Sequence, residues 1–174
     1  GQGYTVAVVD TGVDFSHSFL AGKKAGEACF TAANSCPNGT NEMIGDGAAR
    51  PTHWHGTHVA GIVAGSNTTM RGVAPSSKIL GINVFETDLS ANEESIISAL
   101  EYVNSVRSKH NIVSVNLSLG TSRMWTGPCD TISPELTLKL TSSTAFIVLF
   151  LLNNPAFEKK FFFTLNTSNK GGFV

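Results

Sequence analysis

Three histidines lie within six residues in the segment HWHGTH, at positions 53, 55 and 58. Histidine is the side chain whose charge changes most readily near neutral pH, and neutral imidazole is also a common metal ligand. The cluster therefore predicts either general acid–base catalysis or a metal site. The residues that the fold brings close to it decide between the two.

The metal alternative is a zinc hydrolase with His53, His55 and His58 as ligands. Binuclear zinc hydrolases use this spacing with an aspartate just before the last histidine, whereas this chain has Thr57 there. The carboxylate that would help to hold a second metal and to orient water is therefore missing. Zinc hydrolysis is the less favoured of the two chemistries.

The acid–base alternative pairs one histidine with Asp10. The first segment, YTVAVVDTGVD, is a run of β-branched and apolar residues that ends in Asp10, Thr11 and Gly12, and it predicts a buried strand with a polar end. The segment HGTHVAGIVA (55–64) predicts a helix whose small residues pack closely on a sheet. The two segments are far apart in sequence. The carboxyl edge of a parallel sheet can bring them together, because ligand sites of open α/β folds collect there.

The elements that must position these residues alternate along the chain. Strands are predicted at 78–85 and 112–120, with an amphipathic helix between them at 92–110. Residues 13–52 are rich in Gly, Asn and Ser and are predicted to be loop with room for one edge hairpin. This order predicts an α/β fold with a parallel sheet and right-handed crossovers.

Composition excludes several classes of partner. The net charge is -1 and no basic block is present, so nothing favours binding to nucleic acid or to an anionic membrane. The longest apolar run, 145–152, is too short to cross a bilayer, which needs about 20 residues. It predicts a buried strand instead.

The composition changes near residue 130. Fifteen of the 17 glycines lie in residues 1–127, and seven of the 11 phenylalanines lie in the last 29 residues. The end of the chain offers no clean period for helix or strand. The prediction is one domain part at 1–130, followed by an atypical tail at 131–174, truncated or frame-shifted relative to the domain.

Four ordered segments resemble blocks of the subtilisin-like serine proteases, the subtilases. They are VAVVDTGVD around Asp10, HGTHVAGIVAG from His55, GVAP at 72–75 and VNLSLG at 115–120. The resemblance covers about residues 1–130. It implies a subtilisin-like parallel sheet with helices on both faces, incomplete at its carboxyl-terminal side.

The resemblance implies a role for several residues. His55 would be the general base, Asp10 its partner, and Ser118, Leu119 and Gly120 an extended edge that holds the substrate. The implied activity is that of a serine-type endopeptidase acting on proteins or peptides. In this interpretation His58 satisfies a buried hydrogen bond.

The sequence departs from the family where the nucleophile is expected. It contains no GTSMA-like block, and Ser168 lacks the flanking small residues of one. An oxyanion asparagine is expected in an AAGN-like context, and Asn153 and Asn154 lie at a suitable distance without the glycine. The chain as written is therefore expected to be inactive. The alternative from another class is a peptide-binding pseudoprotease that kept the groove.

The three cysteines leave one without a partner. Cys29 and Cys36 bracket a short loop and can form a disulfide in an oxidising compartment, with two free thiols as the alternative. This loop and GPCD at 127–130 look most like a secreted branch of the family. The expected location is extracellular, with signal and propeptide outside this sequence.

No cofactor is predicted. Subtilases often have a calcium-ligating aspartate at the position of Phe19, and an aromatic ring cannot coordinate a hard cation. Calcium is therefore not expected to bind tightly there.

Overall fold

The computed structural model of the chain describes residues 1–119, 147–149 and 162–164. The strands within these ranges form one sheet of seven, in the order β3-β2-β4-β1-β5-β6-β7. They are β1 (Thr5–Asp10), β2 (Lys24–Phe30), β3 (Glu42–Ile44), β4 (Lys78–Asn83), β5 (Ile112–Leu117), β6 (Ile147–Leu149) and β7 (Phe162–Thr164). The five central strands are parallel, and β3 and β7 are antiparallel edges. The predicted α/β class is confirmed.

Helices cover both faces of this sheet, as predicted. Helix α1 is Trp54–Ala64 and helix α2 is Glu93–His110. Side chains of β1 alternate between them: Val8 packs with the buried residues of α1, whereas Ala7 and Val9 pack with those of α2. The strand that ends in Asp10 is therefore buried on both sides. None of the described helices is long and apolar enough to span a membrane.

Residues 13–52 were predicted to be loop with one edge hairpin, and β2 and the edge strand β3 do form an antiparallel pair. The prediction missed that β2 also lies inside the parallel sheet. This strand, KAGEACF, pairs in parallel with β4 and in antiparallel with β3, and its last four residues are buried. Ala, Gly and Glu are weak strand formers, and here the sheet partners outweigh that preference. The segment also contains a 3₁₀ turn at Ser18–Leu20.

Two short strands extend the sheet beyond β5. Strand β6 lies inside the apolar run that predicted a strand and pairs in parallel with β5. Strand β7 lies in the tail, where no clean period was found, and pairs in antiparallel with β6. Both strands lie within the tail at 131–174, so the backbone of the tail contributes two strands to the sheet, with β7 at its edge.

A disulfide joins Cys29, in β2, to Cys36, in the loop that follows. Both residues are buried, and they pack with Ala48 and the half-buried Met43. Their sequence separation is 7 residues. The bond fixes the turn by which the chain leaves β2 for the edge strand β3.

Removal of this disulfide is expected to lower the free energy of unfolding by about 2 kcal/mol, because closing so short a loop restricts the unfolded chain only moderately. Urea unfolding of the full chain with and without a reductant measures the difference. The variant with both Cys29→Ser and Cys36→Ser is the control, since the reductant should change nothing further in it. Equal midpoints for the oxidised and reduced chain would contradict the prediction.

Candidate active site

Asp10 and His55 are in direct contact. Asp10 is the last residue of β1, its side chain is fully buried, and its Oδ1 lies 2.8 Å from Nδ1 of His55. Strand β1 lies between β4 and β5, so Asp10 is at the carboxyl edge of the central strands. The fold thus joins two residues that are 45 positions apart in sequence.

The contact defines which nitrogen of His55 carries a proton. A carboxylate can only accept hydrogen bonds, so Nδ1 donates to Asp10 and Nε2 is left as the acceptor in the neutral ring. His55 is the second residue of α1, and its side chain is 38% exposed. A proton can therefore reach Nε2 from outside the protein core.

The carboxylate of Asp10 is only partly compensated. Its Oδ1 also accepts a hydrogen bond from the backbone N–H of Thr11 at 2.7 Å. Its Oδ2 is buried and has no hydrogen-bond partner among the described residues. A buried negative charge of this kind stabilises the imidazolium that forms when the ring of His55 accepts a proton.

Asp14 is a second carboxylate near α1, but its side chain accepts hydrogen bonds from Ser16 and not from His55. The hydroxyl and the backbone N–H of Ser16 donate to its Oδ1 at 2.6 and 2.9 Å, and these bonds hold the pKa of Asp14 below its usual range. Its own backbone N–H donates to Oγ1 of Thr57 at 2.9 Å. Asp14 therefore helps to fasten α1 to the segment after β1, and Asp10 is the carboxylate that contacts His55.

Glycine at position 56 allows α1 to approach β1 closely. A Cβ atom added to Gly56 would lie 2.1 Å from the carbonyl oxygen of Gly12 and 3.1 Å from Oδ1 of Asp10. Gly12 itself has a φ of +90°, a conformation that L side chains rarely adopt. The distance between Asp10 and His55 therefore depends on two glycines, although neither has a side chain that could take part in a reaction.

The predicted substrate edge follows β5, the strand next to β1. Ser118 and Leu119 are half-buried, and the hydroxyl of Ser118 donates to Oδ1 of Asn116 at 2.8 Å. Leu119 packs against the core on the α2 side of the sheet. Gly120 lies outside the described residues, so the edge is described only in part.

The other two histidines of the HWHGTH segment, His53 and His58, make no hydrogen bond to Asp10 in the described part of the chain. His53 is the N-cap of α1, and its Nδ1 accepts a hydrogen bond from the backbone N–H of His55 at 3.3 Å. The expectation that His58 makes a buried hydrogen bond was wrong, because its side chain is exposed. Its ring contacts Trp54 edge-on at a centroid distance of 5.8 Å.

Zinc binding is expected to be absent. Within the described part of the chain, no three His, Cys, Asp or Glu side chains are grouped so that they could hold a metal ion. Elemental analysis of the purified chain should therefore find much less than one zinc per chain, and a chelator should leave the midpoint of thermal unfolding unchanged. Stoichiometric zinc that is lost together with stability would contradict the assignment of His55 as a base.

A groove of about 930 Å³ runs along the exposed side of α1. Phe19 lines it and lies against α1 where glycines leave room: a Cβ atom at Gly65 would be 2.1 Å from Cε1 of the ring. Phe19 is the residue at the sequence position where the resemblance implies a calcium-ligating aspartate. That calcium does not bind tightly there stays a prediction.

Several predicted residues lie outside the described residues. They are the candidate oxyanion residues Asn153 and Asn154, the discounted nucleophile Ser168, and Cys129. Asn154 as an oxyanion group stays a prediction that the sequence alone supports.

Sequence reasoning missed the side chains that hold the pair in place. Thr11 and Thr57 bond to backbone groups across the junction of β1 and α1, and Gly56 lets the two elements approach. The only signal was their position inside the segments VDTG and HGTH. A threonine or glycine there says nothing by itself about the atom that it contacts.

Comparisons with known proteins identify the family of the chain. A model described as the subtilase family, Peptidase_S8, matches residues 1–152. The chain is 37% identical over 126 residues to subtilisin of Bacillus pumilus, which covers 68% of this chain and 40% of that protein. It is 32% identical over 123 residues to the subtilase-type proteinase psp3 of Schizosaccharomyces pombe, covering 69% of this chain and 24% of psp3.

A third relative and one solved structure extend the comparison. The minor extracellular protease Vpr of Bacillus subtilis is 34% identical over 122 residues, covering 70% of this chain and 14% of Vpr. The structure of Sphericase superposes with a TM-score of 0.64 at 26% identity, covering 85% of this chain and 45% of Sphericase. The chain spans less than half the length of each of these proteins.

Proposed function

The chain belongs to the subtilase family, and on that basis we propose that it supplies the aspartate and the histidine of a serine-type endopeptidase. The observation that carries the proposal is the 2.8 Å contact between the fully buried Asp10 and Nδ1 of His55. We assign the role of general base to His55. Asp10 orients its ring and fixes its tautomer.

In the proposed reaction, Nε2 of His55 accepts the proton of a serine hydroxyl while the serine oxygen attacks the carbonyl carbon of a peptide bond. The imidazolium then donates this proton to the departing amine, which leaves an acyl-enzyme ester. Water, deprotonated by the same nitrogen, hydrolyses the ester and restores the serine. These roles are carried over from the Ser-His-Asp unit of subtilisin.

The serine of this reaction comes from outside the 174 residues in the proposal. The sequence has no GTSMA-like block, and it spans less than half the length of the relatives described above. We divide the chain into the amino-terminal part of a catalytic domain at 1–130 and an atypical tail at 131–174. The change in glycine and phenylalanine content near residue 130 supports this division.

The proposed substrates are proteins or peptides in an extended conformation. Ser118 and Leu119 follow β5, the strand beside β1, and Gly120 is the next residue in the sequence. An extended peptide can pair with such an edge as an additional strand. The proposed location is outside the cell. The Cys29–Cys36 disulfide and the similarity to the extracellular protease Vpr support it.

The test joins the full chain to the carboxyl-terminal part of a subtilisin that contains its nucleophile. We expect the joined protein to hydrolyse a fluorogenic peptide and to react with a serine-directed fluorophosphonate, whereas the 174-residue chain does neither above background. Circular dichroism checks that the joined protein is folded. A folded, cooperative joined protein without hydrolysis, or hydrolysis by the 174-residue chain alone, would overturn the proposal.

The second candidate function is peptide binding without hydrolysis. The observation that favours it is the missing nucleophile block in a sequence that keeps the edge at Ser118 and Leu119. Fluorescence anisotropy of a labelled unstructured peptide, titrated with the 174-residue chain, tests it. Saturable binding supports this function, and a linear response rejects it.

A further inference from the structure

Thr11 bonds to Asp10 through its backbone N–H, and its hydroxyl bonds to backbone groups of residues before and after His55. It is 5% exposed and follows Asp10, to which its N–H donates. Its hydroxyl donates to the carbonyl of His53 at 3.1 Å and accepts from the N–H of Gly56 at 3.0 Å. Its carbonyl accepts from the N–H of Thr52 at 2.8 Å. One residue of the β1 end thus contacts the chain on both sides of His55.

We propose that Thr11 is a positioning residue whose hydroxyl holds the ring of His55 at hydrogen-bond distance from Asp10. The proposal rests on the function proposed above, because it concerns the same pair. Thr11 does not touch the substrate edge or the reacting atoms in this assignment. It acts through the first turn of α1.

The way in which α1 begins supports this role. The first N–H groups of a helix have no partner within it and are usually satisfied by the N-cap side chain. Here the side chain of His53, the N-cap, accepts a hydrogen bond from the backbone N–H of His55. The next N–H, that of Gly56, is satisfied by Thr11, which lies 45 positions earlier in sequence. The cap therefore also attaches the helix to the strand that ends in Asp10.

The hydroxyl of Thr11 serves both backbone groups at once. It has one donor and two acceptor lone pairs, so it can give a hydrogen bond to the carbonyl of His53 and receive one from Gly56. Valine has nearly the shape of threonine, but its side chain can neither donate nor accept a hydrogen bond. In Thr11→Val both groups lose their partner in a buried junction, and the turn that carries His55 is free to move away from Asp10.

The first experiment measures kcat and KM of the joined protein with Thr11→Val and Thr11→Ser. A displacement of a catalytic group by about 1 Å lowers the rate roughly 100-fold. We therefore expect Thr11→Val to lower kcat by a factor of about 100 and to leave KM unchanged. Thr11→Ser keeps the hydroxyl and should stay close to the unchanged protein. If Thr11→Val does not fold, Thr11→Cys replaces it, since a thiol donates and accepts only weakly.

Thr31→Val is the matched control. Thr31 is 6% exposed, and its hydroxyl accepts from the backbone N–H of Ser35 in the disulfide loop. The Thr31→Val variant loses a hydrogen bond between a threonine hydroxyl and a backbone N–H, as Thr11→Val does, but at a position away from His55. The kcat of the joined protein with Thr31→Val should therefore not change. A loss of kcat as large in Thr31→Val as in Thr11→Val, an equal loss in Thr11→Ser, or no loss in Thr11→Val would overturn the proposal.

The second experiment does not depend on hydrolysis. In the 174-residue chain labelled with ¹⁵N-histidine, the Nδ1 proton of His55 should give a protected downfield resonance, and Thr11→Ser should keep it. Thr11→Val should lose it. An inactive joined protein with this pattern would reject the proposed function and retain the role of Thr11, whereas a resonance unchanged in Thr11→Val would reject that role.

Discussion

His55→Ala is expected to lower kcat of the joined protein by a factor on the order of 10⁶, a scale carried over from subtilisin. The variant removes the group that accepts the serine proton. Asp10→Asn should cost on the order of 10⁴, because an amide donor facing Nδ1 favours the wrong tautomer of His55 while the geometry is kept. Single-turnover hydrolysis of an activated ester, together with kcat on a fluorogenic peptide, measures both losses.

The double variant and a neighbouring histidine are the controls. Residues that act as one unit are not additive, so Asp10→Asn combined with His55→Ala should be no slower than His55→Ala alone. His58→Ala, one turn further along α1 and exposed, should leave kcat unchanged. Equal losses in His55→Ala and His58→Ala would favour the zinc alternative and contradict the assignment of the base.

Gly56→Ala is expected to lower the free energy of unfolding of the full chain by about 3 kcal/mol, at the upper end of overpacking costs. The added Cβ would lie 2.1 Å from the carbonyl oxygen of Gly12, which is backbone and cannot rotate away. Strand β1 and helix α1 would have to separate. Urea unfolding followed by circular dichroism measures the loss, and kcat of the joined protein should fall as well.

Gly61→Ala, on the same helix, is the matched control. Its added Cβ would lie 3.3 Å from Cδ1 of Phe19, a side chain that can shift by the few tenths of an ångström required. Alanine also favours a helix over glycine by up to about 1 kcal/mol. We therefore expect Gly61→Ala to be neutral or mildly stabilising. A loss as large as that of Gly56→Ala would show that α1 tolerates no alanine, and the close approach to Gly12 would not be the cause.

Local pattern determined most of the fold. Helix α2 was predicted at 92–110 and lies at Glu93–His110, because its apolar residues repeat at helical spacing and Asn92 caps it. The parallel strands β1, β4 and β5 follow from runs of β-branched and apolar residues between helices. Strand β2 could not be found in this way, since its residues favour a strand only when β3 and β4 lie beside it.

At the candidate site, the sequence by itself predicted the pair: an aspartate at the end of a buried strand and a histidine at the start of a helix, in blocks typical of one family. Only the tertiary structure decided how they are held. The hydroxyl of Thr11 finds its partners at His53 and Gly56, and Gly56 lies against Gly12, because β1 and α1 meet at one edge of the sheet. Such contacts join positions far apart in sequence, and each depends on a distance of a few ångströms. The identity of a residue does not indicate which distant residue the fold will place beside it.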